Sequence, residues 1–145
     1  MSFLLDTNVI SEIRKGQRCH QNVRAWFHRV NDADLYLSVI ALGEIRRGIE
    51  ILRRKDGSGA EALENWLNTL KTHYSERILN IQAAVADEWG RLDSLRSFAP
   101  ANGLIAATAL VHGLTLVTRN TSDFKGCPVR LLNPFDKESS GMRQA

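Results

Sequence analysis

The chain has 145 residues, 43% of them hydrophobic and 24% charged. That composition fits one globular domain and excludes a disordered or low-complexity chain. No apolar run approaches the ~20 residues that cross a bilayer, and no basic leader precedes a long apolar stretch. Lys and Arg outnumber Asp and Glu by 19 to 16, a net charge of +3, which permits a polyanionic partner without requiring one. Cys19 and Cys127 stand apart with no CxxC or His spacing, as expected of thiols in a reducing compartment rather than of a disulfide or zinc site. The cytoplasm is the expected location.

In chain order, Phe3-Leu4-Leu5 is a short buried strand that runs out at Asp6. In open α/β sheets, ligands bind beyond the carboxyl ends of the strands. A carboxylate there is poorly solvated, which is costly unless a cation or a hydrogen-bond network meets it. Asp6 is therefore a candidate ligand for a divalent metal; the plainer role is a helix N-cap. A short helix over 8–15 follows, stopped by Gly16. Val23, Trp26, Phe27 and Val30 predict a second helix over 19–30. Residues 31–34 form a turn, and 35–37 a strand ending at Ser38, a good N-cap.

The helix that Ser38 opens, 39–55, carries Leu42, Ile45, Ile49 and Leu52 on one line. Ile40, Glu44, Gly48 and Ile51 form a second line, which predicts packing on two sides. Glu44 falls within about two turns of the helix start, near the strand-end edge of the sheet. The alternative is an ion pair with Arg47 on a solvated face. Arg46, Arg47, Arg53 and Arg54 form a basic flank, either solvated or touching phosphates. Residues 55–59 are a loop, 60–74 an amphipathic helix, 77–81 a strand and 82–98 a further helix. Pro100 breaks the chain before a helix over 102–112, apolar nearly all round and closed by Gly113. A strand over 114–117 ends at Thr118-Arg119-Asn120, Asp123 lies in a turn, and 129–132 is the last strand. Trp26, Trp66 and Trp89 lie on apolar stripes and are expected in the core or at dimer contacts rather than as base-stacking platforms. The four histidines lack ligand spacing and receive no role.

Short strands alternating with helices predict parallel crossover units. Residues 1–135 are expected to form a single α/β domain, a central parallel sheet with helices on both faces. Residues 136–145 are a polar tail expected to be flexible. In a parallel sheet the strand ends share one edge, so Asp6, Thr7, Glu44, Thr118, Asn120 and Asp123 should converge. Carboxylates and hydroxyls without His or Cys suit a hard cation such as Mg²⁺ or Mn²⁺. Such an ion activates water and offsets charge on a phosphate under attack, so the expected chemistry is metal-assisted phosphodiester hydrolysis. A phosphatase using Asp6 as nucleophile is disfavoured, because Asn8 rather than a second aspartate follows two residues on.

Leu4-Leu5-Asp6-Thr7-Asn8, the segment from Ser38 to Glu44-Ile45, Gly103-Leu104-Ile105-Ala106-Ala107-Thr108-Ala109, and Leu116-Val117-Thr118-Arg119-Asn120 with Asp123-Phe124 occur in this order. Together they resemble the motifs of PIN-domain proteins, above all the VapC-type toxins of bacterial toxin–antitoxin pairs. The resemblance runs from Phe3 to Phe135. It implies a PIN-like fold and an endoribonuclease dependent on Mg²⁺ or Mn²⁺. It further implies a homodimer, a cognate antitoxin that holds it inactive, and cellular RNA, often transfer RNA, as substrate. By position, Asp6, Glu44 and Asp123 match family acids, and some members carry an acid where Asn120 stands. The remaining acid normally precedes the Gly-Leu-Ile-Ala-Ala run, and here that residue is Asn102. The resemblance thus assigns metal binding and catalysis to Asp6, Glu44, Asn102 and Asp123, with Thr7, Thr118 and Asn120 orienting ligands or water. An amide brings no charge to a divalent cation, so the rival reading is an inactive PIN-fold protein that binds antitoxin or RNA. Asn102-Gly103 is also a dipeptide whose deamidation would regenerate the acid.

Overall fold

Period-two alternation along the strands divides the interior into two cores. The structure, a computed structural model, describes residues 1–137, 143 and 144. In chain order the elements are β1 (Phe3–Leu5), α1 (Thr7–Ile13), α2 (Gln21–Arg29), β2 (Leu35–Ser38), α3 (Val39–Arg53), α4 (Gly57–His73), β3 (Ile78–Leu79), α5 (Ala83–Leu95), α6 (Pro100–His112), β4 (Thr115–Val117), β5 (Arg130–Leu132) and β6 (Arg143–Gln144). The strand order is β3-β2-β1-β4-β5-β6. The first five are mutually parallel, and β6 runs antiparallel outside β5. β1 is central, with Phe3 opposite both Leu35 and Thr115. The expected α/β architecture is therefore the one observed.

Phe3, Leu5, Leu35, Leu37 and Val117 point into one core with Val9, Ile10, Trp26, Ile45, Ile49 and Leu67 of the first four helices. Leu4, Leu116 and Leu131 point into the other with Val85, Leu92, Ile105 and Ala106 of α5 and α6. Helices thus cover both faces, as parallel sheets require. Trp26 meets Phe3 edge to face at 5.4 Å, while Trp66 and Trp89 pack against the two cores. Cys19 and Cys127 are free thiols. No described helix is long and apolar enough to cross a membrane.

Several boundaries differ from the sequence reading. α4 begins at Gly57, not Ala60, because Asp56 accepts the Gly59 N–H at 3.0 Å and the Ser58 hydroxyl at 3.0 Å. An N-cap of that kind outweighs the low helix propensity of two glycines. α6 begins at Pro100 rather than after it, since the missing proline N–H costs nothing in a first turn. Asn102 is consequently the third helical residue, not the first. α3 follows its capping expectation, but its second line does not pack throughout: Ile40 joins the second core, whereas Glu44 and Gly48 are exposed and Ile51 is 40% exposed. Arg46 and Arg53 of the basic flank pair with Glu50 and with Glu64 of α4, clamping the two helices together. Of the polar tail, residues 138–142 and 145 lie outside the described residues, and 143–144 form the unforeseen β6.

Ser38 ends β2 and caps α3, its Oγ accepting the Ile40 N–H at 3.0 Å while 1% exposed. Ser38→Ala should cost about 1 kcal/mol, read as a lower urea midpoint at unchanged slope. An unchanged midpoint would show that packing alone sets the start of α3.

Candidate metal centre

The site is built where β1 and β4 end side by side. The Asp6 N–H donates to Val117 O at 2.9 Å, which pins the end of β1 to β4. Asp6 then turns the chain into α1 as its N-cap, with Oδ1 accepting the Thr7 N–H at 2.9 Å. The capping role and the site role are thus held by one side chain. Its other oxygen, Oδ2, accepts the Thr118 hydroxyl at 2.8 Å and the Asn8 amide at 3.3 Å. Thr118 is fully buried, and its own N–H is tied to Leu132 O at 3.0 Å. The Asn120 N–H donates to Thr118 Oγ at 3.1 Å. Asn120 thus acts here through its backbone rather than its side chain.

Glu44 reaches this cluster from α3. Its Oε1 accepts the Thr7 hydroxyl, so Thr7 carries one N–H to Asp6 and one O–H to Glu44. The expected alternative, Glu44 paired with Arg47, is not what forms. Asp6 is 6% exposed. Burial pushes its carboxyl above the ordinary carboxylate range, the hydrogen bonds from Thr118 and Thr7 oppose that, and the charge of Glu44 raises it again. Neither carboxylate has a basic partner among the described residues.

Among the described residues, neither Asp123 nor Asn102 makes a side-chain hydrogen bond to Asp6 or Glu44. Asp123 lies in a single 3-10 turn, Thr121–Phe124, with its side chain exposed. Its backbone carbonyl accepts Arg96 Nη1 at 3.2 Å. Asn102 sits in the first turn of α6 and shares no hydrogen bond with the Asp6 cluster. Among the described residues, no group of three or more His, Cys, Asp or Glu is close enough to hold a metal ion. The three-acid gathering expected from the sequence is therefore met by two acids, Asp6 and Glu44. Deamidation at Asn102 is disfavoured in this geometry. It needs the Gly103 nitrogen to attack the Asn102 side chain, yet that N–H is committed to Ala99 O at 3.0 Å within α6. Gly103 is itself buried where an added Cβ would lie 2.8 Å from Trp89 Cδ1, so the backbone there has little freedom.

Asn8, to which the sequence reading assigns no role, is central to the cluster. Its amide nitrogen touches Asp6 and Thr118 at 3.3 Å, and its Oδ1 accepts the Arg119 N–H at 3.0 Å. The available signal was its spacing: two residues after a cap, it lies in the first helical turn beside that cap.

Two carboxylates flanked by hydroxyls, with no soft donor, fit a hard divalent cation. Mg²⁺ typically takes one or two carboxylates and completes its shell with water and substrate phosphate. A cation there would relieve both the burial of Asp6 and its repulsion by Glu44.

The chain is similar to known proteins over most of its length. The family model described as "PIN domain" matches residues 3–126. Toxin FitB of Neisseria gonorrhoeae is 37% identical over 139 residues, spanning 91% of this chain and 97% of the relative. VapC ribonuclease Y4jK of Sinorhizobium fredii is 30% identical over 143 residues, spanning 92% and 97%. The crystal structure of FitAcB from Neisseria gonorrhoeae superposes with a TM-score of 0.82 at 34% identity, covering 92% of this chain and 98% of that one.

A raised folded-state pKa at Asp6 means that stability is lost as pH rises through it and the buried carboxyl ionises. Asp6→Asn should therefore raise the melting temperature in metal-free buffer at neutral pH. The gap to the parent should close toward about pH 4, near the ordinary carboxylate pKa. Calorimetric melting across pH checks this; a destabilised variant at every pH would contradict it.

Proposed function

The chain belongs to the PIN-domain family, and from that premise we propose that it is a divalent-metal-dependent endoribonuclease, the toxin of a type II toxin–antitoxin pair. The observation that carries this reading is the Asp6–Thr7–Glu44 unit, two acids without basic partners bridged by one threonine at the carboxyl edge of the sheet. Relatives named as a toxin and as a VapC ribonuclease support the activity. The solved relative FitAB, 32% identical with a TM-score of 0.86, supports a toxin–antitoxin assembly. The ion is proposed to be Mg²⁺ or Mn²⁺, held by Asp6 and Glu44, with Asn102 and Asp123 completing the site when metal and RNA bind. Homodimerisation and a cytoplasmic setting belong to the same reading.

A divalent ion held by Asp6 and Glu44 would supply a water of lowered pKa and offset charge developing on the scissile phosphate. The chain's own residues do the rest. Thr118 and the Thr7 N–H each hold one oxygen of Asp6, fixing the plane of its carboxylate. The Thr7 hydroxyl fixes Glu44 against the same helix start. Asn8 couples this pair to the loop after β4, so ligands and substrate-facing backbone keep one geometry.

One observation favours a rival. Asn102 stands at a family acid position, and two acids rather than three are gathered. A chain with those features could keep its RNA and antitoxin contacts yet cleave nothing. RNA cleavage with and without Mg²⁺, run beside Asn102→Asp and Asp6→Asn, separates the two. The nuclease reading expects cleavage abolished by EDTA, at least ~100-fold loss in Asp6→Asn, and a higher rate in Asn102→Asp. Absence of cleavage in both the parent and Asn102→Asp would favour the binding-only protein.

A further inference from the structure

We propose that Arg119, carried on the ring of Phe135, is an RNA-phosphate contact beside the acidic site and a determinant of substrate affinity; this rests on the ribonuclease reading. Arg119 directly follows Thr118, and its N–H is held by Asn8, the residue that also touches Asp6. Its backbone is therefore wired to the candidate metal centre through two hydrogen bonds. The side chain is exposed, and its guanidinium carbon lies 4.6 Å from the centroid of the Phe135 ring.

The ring is a fixed platform. The Phe135 N–H donates to Asn133 Oδ1 at 2.9 Å, and its carbonyl accepts Asn22 Nδ2 at 2.8 Å. Asn133 Nδ2 closes the circuit on Arg119 O at 3.4 Å. His20 packs edge to face on the same ring at 5.4 Å, and its own N–H is committed to Glu12 at 2.8 Å. Four segments thus meet to hold one aromatic face under one cation.

What separates Arg119 from the other stacked arginines is what its guanidinium lacks. Arg77 stacks on Tyr74 but is paired with Asp32. Arg96 stacks on Phe98 but donates to the carbonyls of Asp123 and Lys125. Arg14 stacks on Trp66 at the far end of α1 from Asp6. The Arg119 guanidinium makes no hydrogen bond or ion pair among the described residues, so its donors are free for an anion's oxygens. A guanidinium with its stacking face occupied and its N–H edge open matches a phosphate. A pre-positioned side chain also loses less entropy on binding than a free one.

The test uses the full chain in the Asp6→Asn background, which suppresses cleavage, and reads fluorescence anisotropy of a labelled single-stranded RNA. Arg119→Ala should weaken binding about 5–10-fold and lower the slope of log K against log salt by about 0.7. Arg119→Lys should keep the slope, and Phe135→Leu should weaken binding by a smaller factor. Melting curves matching the background would confirm that each variant is folded. Unchanged affinity and slope in Arg119→Ala would overturn the proposal, as would a loss confined to antitoxin binding. If the parent cleaves RNA and Arg119→Ala does so with the same KM, this contact falls while the nuclease reading stands. If the parent neither cleaves nor binds RNA, both fall together.

Discussion

The hydrogen bond from Thr118 to Asp6 joins the two strand ends on which the site is built. It spans 112 positions of sequence and exists because β1 and β4 are parallel neighbours, with Leu5 opposite Val117. Parallel pairing brings their carboxyl ends to one edge, and each residue just past that edge inherits a place at the site. The strands themselves are three residues long. Their position is secured by apolar burial on both faces rather than by a long ladder of hydrogen bonds.

That arrangement sets two demands against each other. The cores need the strand ends dry, yet the chemistry needs a charge there. A desolvated carboxylate beside a second one is unfavourable by itself. The fold offsets this locally with the Thr7 N–H, the Thr118 hydroxyl and the Asn8 amide, all supplied within one turn of a strand end. The offset is incomplete, since burial still holds the Asp6 carboxyl above its ordinary range. A cation held between the two carboxylates would relieve this cost, so any affinity for metal and the penalty of the pair alone would share one cause.

The sequence disclosed most where burial and spacing agree. Leu4 flanked by Phe3 and Leu5 gives a strand with both faces covered, and Ser38 before Val39 gives a strand end and a helix start together. It misled where one interaction overrides a propensity. Gly57 and Gly59 looked like loop until Asp56 proved to cap them, and Pro100 looked like a break where it is a first helical residue. Glu44 was assigned by counting turns and does reach Thr7, although the packing expected along its line extends only to Ile40. Asp123 could not be settled by such counting. Its direction depends on a four-residue 3-10 turn and on Arg96, a residue 27 positions away. Asn8 escaped because its place in a first helical turn points to Asp6 but not to Thr118 and Arg119, its partners 110 and 111 positions away. The pairing of Arg143 and Gln144 with β5 likewise has no local pattern to betray it.

If Asp6 and Glu44 together seat one doubly charged ion, calorimetric titration of the chain with Mn²⁺, repeated on Glu44→Gln, will show it. The expected result is saturable uptake by the parent and at least ~10-fold weaker binding once one charge is removed from the pair. Uptake of equal strength in both proteins, or no heat of binding in the parent, would contradict it.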